Sequence, residues 1–378
     1  MRVEPPVPAP ALAAIREALA AAGAAPVDAP ILQPLNLLLD LAGEAMRARL
    51  FVVQAEGEAE ACLRPDFTVA VARQHIDAGA ASGRYAYEGP AFRSAPEGER
   101  PEEFVQLGVE LFAAAGSATV EADVEIAGLA WRAAVAGGRD DLTLWLGDVG
   151  LFAAFIGSLS LPAALAARLK RVASRPRLLN AELARAGQAP APASAAGGGQ
   201  LAAMLSGLSE NEAAAMLEEV WALAGVEPVG GRGPGEIAAR LVRRAEAASA
   251  PSLTPAQAEA IRAFMAICEG PAEGLAQVGA LAGKSRGLEA AISEWRARLA
   301  GLSEIPAARM RFAPALGHAF DYYDGLTFEV RSAALGEDRP VASGGRYDGL
   351  LARLGGAADA RAVGCVVRPW RAFAGGEA

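Results

Sequence analysis

Strand-forming sequence occurs in two blocks of this 378-residue chain, and a long stretch of purely helical pattern separates them. In the first block, residues 50–54 and 61–64 read as two strands around the turn EGEAE. Residues 84–93 alternate as a strand broken at Gly89-Pro90, 104–113 alternate as its hairpin partner, and 142–146 form an apolar central strand. In the second block, 309–315, 326–333, 339–342 and 362–368 read as strands, with a helix over 346–354. Between the blocks, 188–199 (QAPAPASAAGGG) has no hydrophobic period and reads as a linker. From 200 to 300 the pattern is helical, interrupted at 228–235 and Pro251. A sheet must bury a face against another layer, so the two blocks are expected to build one antiparallel-rich α+β domain with the helical segment inserted. The expected divisions are 1–187, 188–304 and 305–378.

Other classes are excluded. With 35 Lys+Arg against 44 Asp+Glu the formal net charge is −9, which opposes general nucleic-acid binding. Cys62, Cys268 and Cys365 lie far apart with no CxxC, which fits a reducing cytoplasm rather than a disulfide framework. His75 and His318 cannot form HExxH, and neither GxGxxG nor GxxxxGK[ST] occurs, so no metal and no cofactor is expected. The N-terminus (MRVEPPVPAP) does not read as a signal peptide, and the most apolar stretch, 149–161, is too short to span a bilayer, so no membrane association is expected.

Several segments combine glycine with polar residues. Arg64, Asp66 and Thr68 sit at a strand-to-helix junction, where Asp66 and Thr68 could equally be helix caps. Gln106, Gly108 and Glu110 alternate, so they share one strand face, either a polar pocket floor or a solvated surface. Asp321-Tyr322-Tyr323-Asp324-Gly325 is a turn before a strand, and Ser343-Gly344-Gly345 a glycine turn between strand and helix.

The ordered set LRPDFT, YEGPAFR, QLGVELF, LGDVGLF, FDYYDGLTFEV, SGGRYDGLLARLGG and AVGCVV with Arg371 resembles the catalytic domain of histidyl-tRNA synthetase over roughly residues 30–375. The resemblance implies a class II aminoacyl-tRNA synthetase-like fold: an antiparallel sheet with flanking helices and a mainly helical insert. It implies that Asp66, Thr68 and Gln106 hold an α-amino group. Glu110 and Tyr323 would meet an imidazole, and Tyr322 would help close the pocket. A carboxylate with neutral acceptors suits an ammonium, and a carboxylate with a phenol suits a two-nitrogen ring.

The departures matter more. The chain stops seven residues after Arg371, so no anticodon-binding domain is expected. Ala95 stands where the family has an adenine-reading glutamate. The loop 94–103 holds Glu97, Glu99, Glu102 and Glu103 against Arg100, a net −3 that is expected to repel phosphate, so no tRNA is expected. His318 stands where the family has the arginine that meets the α-phosphate and the amino-acid carboxylate. Histidine, with an ordinary pKa of about 6.5, is mostly neutral at pH 7. Arg368 and Trp370 replace a glycine and a glutamate, and are expected to add bulk at the nucleotide site, while Arg93 and Arg371 persist.

A synthetase-like domain with a worn nucleotide site and a largely kept histidine pocket resembles the regulatory subunit family of ATP phosphoribosyltransferase, as does the opening ILQPLNLLLDLAGE before RLFVV. The resemblance implies a non-catalytic chain. It would activate the short-form catalytic subunit in the first step of histidine biosynthesis, with feedback by free histidine, in a cytoplasmic hetero-oligomer containing a dimer of this chain formed in part by residues 25–50. The alternatives are a truncated histidyl-tRNA synthetase-like amino-acid-activating ligase and a scaffold whose pocket is a relic.

Overall fold

The computed structural model describes residues 2–42, 44–54, 60–95, 100–173, 176–187, 212–216, 218–219, 252–283, 285–317 and 322–376. Within them the chain runs through α1 (Ala9–Ala20), β1 (Ala25–Pro26), β2 (Leu32–Pro34), α2 (Leu35–Ala42), β3 (Val52–Val53), β4 (Ala61–Leu63), α3 (Thr68–Asp77), β5 (Gly83–Phe92) and β6 (Glu103–Ala113). There follow α4 (Thr119–Ala136), β7 (Leu142–Asp148), α5 (Val149–Ser158), α6 (Ala163–Val172) and α7 (Pro176–Ala184). After the helices Pro255–Ala266, Pro271–Leu281 and Arg286–Gly301 come β8 (Met310–Phe312), β9 (Leu326–Ser332), β10 (Ala342–Arg346) and β11 (Arg361–Val367). Residues 188–199 and 228–235, read as linker and helix interruption, lie outside the described residues.

Strands from both sequence blocks join one eight-stranded sheet, ordered β1-β5-β6-β11-β10-β9-β7-β8. All pairings are antiparallel except the two edge pairs, β1 with β5 and β7 with β8. The α+β expectation holds, and the short parallel edges make the sheet mixed. β2, β4 and β3 form a separate three-stranded sheet. The contacts divide the chain into two units, Met1–Leu159 with Ala263–Ala378, and Ser160–Arg262. In the second unit Arg168 pairs with Glu182 at 3.0 Å, and the Gly187 N–H donates to the Leu253 carbonyl.

Two local expectations change. The strand 84–93 is not broken: Pro90 sits within β5 opposite Val105. Among the described residues no strand beyond β1 neighbours the outer edge of β5, so the missing N–H of Pro90 costs no ladder bond there. Arg64 takes that edge instead, its Nε donating to the Pro90 carbonyl at 2.8 Å while its own carbonyl accepts the Phe92 N–H. The glycines Gly344 and Gly345 are not a turn but lie inside β10. A Cβ on Gly344 would overlap the Gly364 carbonyl and the Phe328 ring, so close strand packing rather than bending demands glycine there.

One face of the sheet is covered by α4, which buries Ile126, Ala127, Ala130 and Ala134. A fully buried carboxylate, Asp123, is shared on this side by Arg298 (2.8 Å) and Arg346 (2.6 Å), joining α4 to the helix Arg286–Gly301 and to β10. Asp148 caps α5 through the Leu151 N–H and accepts the Trp295 indole N–H at 2.7 Å. The other face meets α3 and a cluster that includes Phe67, Tyr87, Phe112, Tyr322 and Tyr347.

Candidate functional site

The face that meets α3 opens into a cavity of about 730 Å³, ordinary for a small-molecule site. Its floor comes from the alternation of the central strands: Tyr87 on β5, Gln106 on β6, Val366 on β11, and Ser343 on β10. The pairing sets Tyr87 opposite Gly108 and Gly89 opposite Gln106. A side chain on Gly108 would overlap the Tyr87 hydroxyl, so this glycine lets the phenol lie flat over the sheet. Tyr87 stacks on Phe67 at 4.4 Å, and the Arg64 guanidinium covers the other side of Phe67 at 3.9 Å. That sandwich fixes the LRPDFT segment and aims Asp66 and Thr68 at the cavity.

Asp66, Thr68, Gln106, Tyr322 and Tyr323 all line this cavity, as do Arg93, Ala95, Arg368 and Arg371. Glu110 does not. It lies beneath the floor, 1% exposed, and accepts from Thr68 Oγ1 at 2.7 Å, from the Tyr87 hydroxyl at 3.4 Å, and from the Tyr347 hydroxyl. Burial pushes its carboxyl up to about 7, against the three donated hydrogen bonds. Gly364 stands opposite Glu110, and a Cβ there would overlap the carboxylate. Trp370 is also outside the lining; it packs at 6.1 Å against Phe373. Of the two replacements expected to add bulk at the nucleotide site, Arg368 lines this cavity and Trp370 does not. His318 and Asp321 lie outside the described residues.

The cavity walls differ chemically. On one wall both carboxylate oxygens of Asp66 and the side-chain carbonyl of Gln106 are buried without a hydrogen-bond partner of good geometry. Desolvation pushes Asp66 up to about 6; the Arg93 charge, the Val69 and Thr68 amides and the Tyr322 hydroxyl moderate that rise. Tyr322 and Tyr323 close the wall as a tilted pair 4.7 Å apart.

The other wall is basic. Arg49, Arg93, Arg100, Arg368 and Arg371 line it. Burial and mutual repulsion lower the pKa of Arg371 to about 10 and that of Arg368 well below its ordinary value. Arg93 donates to the Pro65 carbonyl at 2.9 Å, and Arg371 to the Pro340 carbonyl at 3.1 Å. Of the acidic loop 94–103, Glu97 and Glu99 lie outside the described residues; among the described ones Arg100 lines the cavity, and Glu102 faces Arg2. Sequence reasoning missed Arg49, Arg100 and Tyr87. Tyr87 carried a readable signal, since it alternates with Gly89 along the same strand; the arginines carried none, because Arg49 ends a short 3-10 helix and Arg100 lies between strands, neither in a periodic pattern.

The Histidyl-tRNA synthetase family model matches residues 9–226 and 236–369. A protein from Mesorhizobium japonicum, named ATP phosphoribosyltransferase regulatory subunit, is 37% identical over 358 residues, 92% of each chain. One of the same name from Brucella canis is 34% identical over 350 residues, 90% of each chain. Among solved structures, an ATP phosphoribosyltransferase regulatory subunit/histidyl-tRNA synthetase from Bacillus halodurans superposes with a TM-score of 0.65 at 21% identity, covering 97% of this chain and 78% of that one. Histidyl-tRNA synthetase from Nostoc gives 0.59 at 16% identity, covering 96% of this chain and 69% of that one. These structures share the fold, a class II synthetase-like sheet with flanking helices. With more than nine-tenths of its length aligned at 37% identity, the chain belongs to the ATP phosphoribosyltransferase regulatory subunit family, built on the histidyl-tRNA synthetase catalytic fold.

Proposed function

We propose that this chain is a non-catalytic regulatory subunit that binds and activates a short-form ATP phosphoribosyltransferase catalytic subunit in the first step of histidine biosynthesis, in the cytoplasm. In the same reading, free histidine occupies the cavity and feeds back on the complex, and the chain pairs with a second copy of itself. Family membership supports the role of subunit. The observation that carries the ligand is the buried Asp66 carboxylate, which receives no hydrogen bond of good geometry from within the chain, with the equally unmet Gln106 side-chain carbonyl lining the same cavity. Buried acceptors left unpaired are costly, and a ligand ammonium supplies the missing donors. The ring of an amino acid held there would rest toward Tyr87, Tyr322 and Tyr323. Glu110 acts from below by fixing the Thr68 and Tyr87 hydroxyls. For histidine to inhibit, it must bind the inactive form of the complex more tightly than the active one.

The test is reconstitution with a short catalytic subunit, following product formation from ATP and phosphoribosyl pyrophosphate. The expected result is stimulation by this chain, reversal by histidine, and loss of the reversal in Asp66→Asn with stimulation retained. Absence of association and of any rate change would overturn the subunit reading. Histidine-dependent exchange of pyrophosphate into ATP by this chain alone would instead establish a ligase.

A further inference from the structure

The basic wall of the cavity already holds an anion, and it belongs to the chain. Glu4 is buried beside Arg368, with its Oε1 2.6 Å from Arg368 Nη2. Its charge also acts on Arg371, where it opposes the lowering produced by Arg93, Arg100 and Arg339. Arg368 is sandwiched between this carboxylate and the Phe104 ring, 3.5 Å from its centroid, and its Nε has no partner although buried. Among the described residues Glu4 pairs with Arg368 and the Asp66 charge meets that of Arg93, two carboxylates against Arg49, Arg93, Arg368 and Arg371, so the wall keeps positive charge, and the buried Arg368 Nε is a donor left unmet. Arg100 and Arg331 line the same cavity but face carboxylates of their own, Asp338 at 3.4 Å and Glu329 at 2.7 Å.

Glu4 is held there by a short arm. Val3 bridges to Glu103, the Glu4 N–H donates to the Glu103 carbonyl at 2.8 Å, and the Glu102 and Glu103 N–H groups donate to the Arg2 carbonyl at 2.8 and 3.1 Å. The Arg2 side chain adds bonds to the carbonyls of Ala95 and Arg100, each at 3.0 Å. Val3 itself is 61% exposed, so no apolar burial anchors the arm; polar contacts and the Glu4–Arg368 pair hold it.

We infer that Glu4 is an internal competitor for an anion site: a phosphate-bearing ligand entering between Arg93, Arg368 and Arg371 displaces the Glu4 carboxylate and frees Arg2–Glu4 from the start of β6. A phosphate group carries more charge and more acceptor oxygens than one carboxylate, and several guanidinium groups suit it better. The displacement links occupancy of the basic wall to detachment of a surface segment, which a partner subunit could read. This is independent of whether histidine binds the opposite wall.

Inorganic pyrophosphate is the probe, with sodium acetate at equal ionic strength as control. Calorimetric titration of the full chain should give tighter binding to Glu4→Gln than to wild type, by about tenfold or more, the value of one charge-assisted contact. Arg371→Gln should weaken binding, and acetate should give no heat. In wild type, saturating pyrophosphate should speed hydrogen exchange at the Glu102 and Glu103 amides. Equal or weaker binding to Glu4→Gln, unchanged binding to Arg371→Gln, or no binding to any of them overturns the inference. If Glu4→Gln does not fold, exchange in wild type decides alone: unchanged or slower exchange at saturation refutes it.

Discussion

Replacing Glu110 by glutamine should flatten the dependence of stability on pH. The carboxyl is fully buried, and its folded pKa of about 7 lies above the ordinary 4.5. Below pH 4.5 it is protonated in both the folded and the unfolded chain and contributes nothing. As the pH rises from there through about 7, the unfolded chain releases the proton first, and the fold loses stability. One pKa unit corresponds to about 1.4 kcal/mol, so wild type should lose about 2–3 kcal/mol between pH 5 and pH 8 through this group alone. A glutamine keeps the shape, its one amide oxygen can still accept from Thr68 and its NH2 can donate to the Tyr347 hydroxyl, but it does not titrate. The assay is urea unfolding at the two pH values, followed by tyrosine near-ultraviolet dichroism. All five tyrosines (Tyr85, Tyr87, Tyr322, Tyr323 and Tyr347) belong to the unit that holds the sheet, so the signal reports that unit. The expected result is a fall for wild type that exceeds the fall for Glu110→Gln by about 2–3 kcal/mol. Parallel falls would mean that Glu110 is hydrated or holds its charge easily, and the account of the pocket floor would fail.

Two further outcomes follow from the same packing. Asp123→Ala leaves Arg298 and Arg346 buried without their shared carboxylate and should cost about 3–5 kcal/mol, read as a lowered urea midpoint in the same tyrosine signal. Gly364→Ala drives a methyl into the Glu110 carboxylate and should cost about 1–3 kcal/mol. Combined with Glu110→Ala it should cost clearly less than the sum of the two single changes, and strict additivity would show that the two positions do not touch.

The alternation that marked β5 and β6 came through because one face of that hairpin packs against helices and the pattern repeats every two residues. Pro90 misled because the rule against proline in strands applies where both edges are paired, and β5 is paired there on one side only. The glycines of β10 misled for a related reason: glycine reads as a turn in sequence, but here it answers the closeness of the Phe328 ring and a neighbouring strand. In the cavity, the acceptor wall was legible because Asp66, Thr68 and Gln106 sit in motifs whose spacing is local. The basic wall was only half legible. Arg93 and Arg371 lie in such motifs, whereas Arg49 and Glu4 reach it from segments with no periodic signal, through contacts far apart in sequence. Glu110 was found as a pocket residue, but its depth depends on Gly364, some 250 residues away, and one strand's pattern cannot reveal that.

The position of β11 sets the order in which this molecule can be assembled. It comes last along the chain among the described strands, yet it lies between β6 and β10 and is what joins β1-β5-β6 to β10-β9-β7-β8. Until residues 361–367 leave the ribosome, both half-sheets present a bare inner edge. At about 5–20 residues per second, synthesis of the roughly 250 residues from the end of β6 to β11 keeps that edge open for about ten seconds or more. Pairings so distant in sequence are slow to form, and open edges recruit other strands. The nascent chain is therefore most vulnerable to aggregation just before its final strand arrives, and chaperone dependence should peak there rather than during synthesis of the helical middle.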